Sequence, residues 1–299
     1  MNENLDEDLH DLLGLPAEER ILARWEDIFI NLDILEPVFQ ALKHMASQPD
    51  KERQNNLLIS GESSVGKSKT LQHYVNDVMR EARATKPRLS SEYANIPSFR
   101  IRTPVTDEAT FYVRILEALG RKDRRERSLH RLSHDAVEMM RRCGVRLPIF
   151  DEFHSSDPEE VGIRTFGATL KDVGATIQRP MVLAGTEKAV KIIDKDPELS
   201  TRFTHIEMNR FASANGDFQD MLYNFETRIP LRKASNLADA PLCTVIFNLT
   251  RGLIGDVSIL LSSAAVKAVE TGEEQITQET LQSLDFAKSQ QRRLRRWHA

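Results

Sequence analysis

Apolar positions along the first two thirds of the chain switch repeatedly between two periods. Leu35, Val38, Phe39, Leu42 and Met45 recur at helical intervals, and a polar run through Pro49 to Asn55 separates that helix from Asn56-Leu57-Leu58-Ile59-Ser60, which reads as a short buried strand. From Lys67 onward Leu71, Val75, Val78, Met79 and Ala82 return to helical spacing. Phe99 and Ile101 alternate with Arg100 and Arg102 as a second strand; a helix follows from about Asp107 to Leu119, with Gly120 just past its end. Leu129, Leu132, Ala136 and Met139 or Met140 mark another helix, closed by Gly144. Arg146 to Glu152 predicts an apolar strand that delivers two carboxylates at its C-terminal end, although Pro148 removes one ladder donor from its first half. Asp157-Pro158-Glu159-Glu160 then supplies an N-cap, a first-turn proline and an acid at the capping-box position. Pro180 to Gly185 predicts a strand, Glu187 to Ile193 a helix, and Thr204 to Met208 a last strand.

Strands alternating with helices specify an α/β fold with a mostly parallel sheet sandwiched by helices. Beyond Phe211 the pattern is helical only: about Asp217 to Arg228, Pro241 to Arg251, Asp256 to Thr271 and Thr277 to Ser289. The expected organisation is an N-terminal extension with an amphipathic helix over residues 1–50, packed on an α/β domain over residues 51–211. A helical domain over residues 212–290 and a basic tail over residues 291–299 follow. The chain shows no internal repeat.

Composition changes this picture little. With 299 residues and a formal net charge of −4, the chain is long enough for a substantial core. No run of 18 or more apolar residues occurs, and the opening MNENLDEDLHDLL is acidic, so the expectation is a cytoplasmic protein with no membrane partner. Cys143 and Cys243 form neither a C-x-x-C pair nor a disulfide framework. The near-neutral total hides basic runs at Arg121 to Arg131 and Gln291 to Ala299.

The sharpest chemical signal is Gly61-Glu62-Ser63-Ser64-Val65-Gly66-Lys67-Ser68, which fits the phosphate-binding loop G-x-x-x-x-G-K-[ST] at every defining position and stands between a predicted strand and helix. Gly61 and Gly66 let the backbone N–H groups curl toward phosphates, Lys67 reaches the terminal phosphates, and the Ser68 hydroxyl takes one place on Mg²⁺. Lys69 follows in the first helical turn, whose positive dipole end faces the same anion. This implies a site for a nucleoside triphosphate such as ATP. Phosphoryl transfer to water also needs a second metal ligand and a base; Asp151 suits the first role and Glu152 the second. Thr186, directly after a strand, is placed either to feel the γ-phosphate or to cap the helix that follows. Arg202, on the turn before the last strand, is placed to project into a neighbouring subunit's site, a contribution worth roughly 10³-fold in rate.

Arg121, Lys122, Arg124, Arg125 and Arg127 cluster between two helices, and Arg100 and Arg102 alternate on the preceding strand, so several phosphates of double-stranded DNA could be neutralised together. Aromatic interleaving is absent from these runs, which favours a duplex backbone over stacked single-stranded bases.

These signatures together resemble an AAA+ ATPase, and more narrowly the TniB-type transposition ATPases related to the target selector TnsC. The resemblance rests on Arg24 and Trp25, GESSVGKS, Ile115 to Gly120, Ile149-Phe150-Asp151-Glu152-Phe153-His154, Leu183 to Thr186 and Leu199 to Phe203. It implies that Lys67, Ser68, Asp151, Glu152, Thr186 and Arg202 take the Walker A, Walker B, sensor 1 and arginine-finger roles. It further implies Mg-dependent ATP hydrolysis, assembly of the chain with itself as a ring or filament on duplex DNA, and recruitment of a transposase with a target-selection adaptor. One departure is Ser258, standing where many AAA+ proteins carry a lid arginine. Two other readings fit the same motifs: a replication initiator or helicase loader, and a nucleotide-bound scaffold with negligible turnover. A translocating helicase needs two such cores, and a second sheet domain does not fit after Phe211.

Overall fold

The computed structural model describes residues 2, 4–22, 29–90, 92–103, 107–121, 128–153 and 161–285. Its strands are β1 (Asn56–Ser60), β2 (Ser98–Arg102), β3 (Leu147–Asp151), β4 (Val182–Gly185) and β5 (Phe203–Glu207). In chain order the helices are α1 (Ala17–Leu22), α2 (Glu36–Ser47), α3 (Lys67–Thr85), α4 (Glu108–Ala118), α5 (Leu129–Arg142) and α6 (Val161–Ile177). They continue as α7 (Glu187–Asp194), α8 (Pro197–Ser200), α9 (Asp217–Glu226), α10 (Ala240–Thr250), α11 (Ile254–Glu270) and α12 (Gln278–Gln282). The chain divides into two units, one of Leu35–Ser63 with Lys67–Asn209, the other of Met1–Ile34, Ser64–Gly66 and Arg210–Ala299.

The first unit is a parallel sheet, as the alternation of periods requires, and its strand order is β2-β3-β4-β1-β5. Strands β1, β3 and β4 are buried along their whole length, so their side chains read as near-continuous apolar runs. Leu58, Phe99, Ile101, Phe150 and Leu183 from four strands join Phe111, Ile115, Leu132, Met140, Val173 and Ile192 from the helices in one core. The opposite faces of those strands carry Leu57, Arg100, Ile149 and Val182, which the register aligns. Helices α2 and α3 meet through an edge-on contact of Phe39 with His73 and the Tyr74 hydroxyl donating to the Leu42 carbonyl at 3.4 Å. Pro148 proves compatible with β3 because it lies opposite Phe99 of β2, and pairing with β4 begins only at Ile149.

The second unit is helical. Phe211, Phe218 and Phe247 form an aromatic chain with ring centroids 5.4 and 5.2 Å apart. The buried Glu226 carboxylate accepts the backbone N–H groups of Ser235, Asn236 and Leu237 at 2.7, 2.9 and 2.7 Å and so fixes the turn before α10. The predicted last helix, Thr277 to Ser289, is the five-residue α12 with a capping box at Thr277. The Ser283 hydroxyl donates to the Thr280 carbonyl at that helix's end, and residues beyond 285 lie outside the described residues.

The N-terminal segment is divided between the two units. Only α2 belongs to the sheet unit, whereas the residues up to Ile34 group with the helical one. Asn2 donates to the Leu231 carbonyl at 3.1 Å, the Asp6 N–H to the Thr227 carbonyl at 3.0 Å, and Arg228 pairs with Asp6 at 2.6 Å. Arg20 reaches Glu274 and the Pro230 carbonyl. The reason is chemical: Asp6 meets Arg228, Arg20 meets Glu274, and N–H donors of the segment meet backbone carbonyls. The capping signal at residues 157–160, and Arg24 and Trp25, lie outside the described residues. Among the described residues, no single helix is long and apolar enough to cross a membrane.

Candidate nucleotide site

Strand β1 stops at Ser60 and α3 starts at Lys67, so the eight-residue phosphate loop spans the turn between them and the first helical turn. Ser64 and Gly66 both have left-handed backbones, with φ of 65° and 98°, a conformation that glycine adopts freely and serine does not. The first turn of α3 carries no acidic side chain, so no fixed carboxylate competes with an external anion for its positive dipole end. Lys67 is buried, and its ammonium donates to the carbonyls of Gly61 and Glu62, both at 2.8 Å. Burial lowers the Lys67 pKa from the ordinary lysine value, against the opposing pull of Asp151 and Glu62.

At the end of β3, Asp151 is 1% exposed. One of its carboxylate oxygens accepts the N–H of Glu152 at 2.8 Å, and the other accepts Nη1 of Arg100 at 2.5 Å. Arg100 is anchored a second time, its Nε donating to Oε1 of Gln72 on α3 at 3.0 Å. Glu152 has a left-handed backbone, φ 54°, and its carboxylate pairs with Nε of Arg102. The register explains these meetings: Arg102 lies beside Asp151 and Arg100 beside Ile149, so both arginines and Asp151 share the sheet face opposite the Phe99–Phe150 core. Both arginines, expected on sequence to face DNA phosphates, are thus turned to the two carboxylates.

Strand β4 ends on Gly185, where an added Cβ would lie 2.4 Å from the Phe153 carbonyl oxygen and 2.6 Å from the Ala189 Cβ. Only glycine lets the chain after Glu152 pass so close, and the Phe153 N–H bonds the Ala184 carbonyl at 2.7 Å in the same place. The next residue, Thr186, occupies the N-cap position of α7 without making a side-chain capping bond. Of its two expected roles, capping is therefore not the one its hydroxyl performs here.

Arg202 follows α8 and pairs with Glu198. Glu198 in turn accepts from Lys171 at 2.8 Å, as does Asp196, and the Lys171 hydrogen bonds hold both carboxyls below their usual range. Arg121 lies 3.5 Å from Asp135, and Lys122, Arg124, Arg125 and Arg127 lie outside the described residues. Within the loop, Glu62 and Ser63 are exposed, Val65 is buried, Ser68 is half-buried and Lys69 is exposed.

The contribution of Gln72 and the true neighbours of Arg100 and Arg102 escape a reading of the sequence. The available signal is charge: two arginines two apart on the strand before a strand ending in two acids. The residues suit the expected ligand. The Ser68 hydroxyl and Asp151 carboxylate are hard oxygen donors of the kind Mg²⁺ takes, and the Asp151 carboxylate is already turned to a cation.

A phosphate loop leaving β1 and an acid pair leaving β3, in a sheet where β4 separates those strands, is the arrangement of AAA+ ATPases. Solved structures agree on the fold. The Aeropyrum pernix ORC2 protein in ADPNP-ADP complexes superposes with a TM-score of 0.64 at 14% identity, covering 88% of this chain and 70% of that one. The Aeropyrum pernix ORC1 protein in complex with DNA gives 0.61 at 14% identity, covering 91% and 68%. Domain III of the Thermotoga maritima replication initiation protein DnaA gives 0.53 at 13% identity, covering 93% and 95%. The family model described as "Bacterial TniB protein" matches residues 20–213, and the chain belongs to that family. No curated protein matches the sequence.

Proposed function

We propose that this protein is an ATP-dependent regulator of DNA transposition, which assembles on duplex DNA with ATP bound, selects the target and recruits a transposase, and comes apart after hydrolysis. The single observation that carries the reading is the Asp151-Glu152 pair at the end of β3, whose Asp151 carboxylate acts electrostatically on Lys67 of the phosphate loop, in a chain of the TniB family. Membership supports the transposition role; likeness to initiators supports the fold alone, so the initiator reading has no residue of its own.

In this reading Ser68 and Asp151 hold Mg²⁺, which supplies charge neutralisation on the phosphate oxygens when bound. Lys67 and the N–H groups opening α3 hold the phosphates. Glu152 takes the proton of the attacking water, for which its carboxylate must leave Arg102. Thr186 holds that water or the γ-phosphate. Arg202 comes from a neighbouring copy, released from Glu198 as the copies assemble. The basic run Arg121 to Arg127 meets the duplex backbone, giving binding that weakens steeply with salt.

The test pairs wild type with Glu152→Gln. Turnover should fall on the order of 10²-fold or more in the variant, while ATP-dependent association with duplex DNA persists longer than in wild type. ATP-independent or absent DNA association in both proteins would defeat the proposal.

A further inference from the structure

Arg100 is a cation fixed at two points beside the metal-ligand carboxylate. Its Nη1 donates to Asp151 Oδ2 at 2.5 Å while its Nε donates to Gln72 Oε1 at 3.0 Å. Gln72 lies one turn beyond Ser68 on α3, the helix that opens with the phosphate-loop lysine, and it also donates to Asn76 at 2.9 Å. The guanidinium is thus strung between the helix that carries one expected metal ligand and the strand that carries the other. Its side chain is a quarter exposed, against 1% for Asp151, so the carboxylate owes its charge compensation to protein groups rather than to water. Besides Arg100, the groups facing it are the Glu152 N–H and, at longer range, the Lys67 ammonium.

We propose that Arg100 is a positioning residue that acts as a resident cation on Asp151, holding the carboxylate oriented and setting the magnesium concentration at which the site loads. The inference rests on the nucleotide-site reading above and adds a regulator to it. The sign follows from electrostatics. A guanidinium and a divalent cation on one carboxylate repel each other, and in a partly desolvated site that repulsion is weakly screened. Arg100 therefore raises the magnesium requirement: the site loads fully only once Arg100 gives up or shares its oxygen. Gln72 matters because it keeps the guanidinium from swinging into solvent; an arginine tethered at one end alone would compete less.

The experiment is a magnesium titration of the full chain with a non-hydrolysable ATP analogue, read by calorimetry, and a parallel titration with Mn²⁺ read by electron paramagnetic resonance. Neither readout needs turnover. In Arg100→Gln the free Mg²⁺ for half-maximal analogue binding should fall roughly tenfold, whereas analogue affinity in excess chelator should stay within about twofold of wild type. Arg100→Lys, which keeps the charge but loses the two-point fork, should fall only about two- to threefold, as should Gln72→Ala, which covers the case in which Arg100→Gln does not fold. An unchanged or higher magnesium midpoint in Arg100→Gln, or in Gln72→Ala where only that variant folds, overturns the inference. So does an equal loss of affinity with and without magnesium, the mark of a merely structural role. Failure of wild type itself to bind the analogue at any magnesium concentration would instead defeat the nucleotide-site reading.

Discussion

Each unit contains an arginine paired with a buried carboxylate, and the two pairs differ in what surrounds them. In the helical unit, Arg20 donates to both oxygens of Glu274, at 2.9 and 2.5 Å, and to the Pro230 carbonyl at 3.2 Å; Glu274 also accepts the Arg232 N–H at 3.3 Å. Side-chain exposures of 3% and 11% leave little room for a further partner. In the sheet unit, Arg100 reaches one oxygen of Asp151, and the lysine of the phosphate loop adds its charge from further away. The same ion pair serves as a staple where both carboxylate oxygens are engaged by the one arginine, and in the proposed reading as an exchangeable contact where the carboxylate faces the phosphate-loop lysine.

The comparison breaks most severely at the staple. Arg20→Met should cost about 3 kcal/mol by leaving Glu274 buried without its cation, read as a lowered thermal midpoint, while analogue binding by the folded protein stays near wild type. The pH dependence carries a sign. Arg20's hydrogen bond is the largest cause holding the Glu274 carboxyl below its ordinary value of 4.5, so this stabilisation is complete above that value. It drains away as pH falls through the lower folded-state pKa. Glu274→Gln should flatten that acid limb, and an unaltered acid limb would show that the pair is not the source.

Asp151→Asn should do the reverse, costing only about 1–2 kcal/mol of stability but removing about tenfold or more of the magnesium-dependent share of analogue binding. Equal damage to stability and to magnesium dependence would erase the distinction between the two pairs.

The smallest effect on stability is expected at Thr186. Since its hydroxyl makes no capping bond, Thr186→Ala should change stability by less than about 0.5 kcal/mol, yet reduce turnover roughly tenfold or more if the hydroxyl acts on the γ-phosphate or its water. A stability loss of about 1 kcal/mol with normal turnover would return Thr186 to the capping role.

Much of this site is legible in the amino-acid sequence alone. GESSVGKS is a contiguous backbone device, and the apolar run ending in Asp151-Glu152 announces a strand delivering acids. Such local patterns survive in sequence because their function depends on neighbours a few residues away. Arg100 and Arg102 show the limit: their exposed-looking alternation suggests DNA contacts, but their partners lie 51 and 50 residues further on. Gly185 is similar, since its need for no side chain comes from the Phe153 carbonyl on another segment. The contacts of the N-terminal segment are hidden for the same reason; its charges say nothing of the distant partners, Arg228 for Asp6 and Glu274 for Arg20, that receive them.

By itself, then, the sequence determined the α/β alternation, the helical second half, the phosphate loop and the acid pair, because periodicity and turn chemistry act over one or two helical turns. The tertiary structure alone decided the strand order, the meeting of Arg100 and Arg102 with the two carboxylates, the freedom of the Thr186 hydroxyl from capping, and the stapling of Arg20 to Glu274. Those contacts are set by which strand lies beside which and by charges far apart along the chain, and no local preference encodes them.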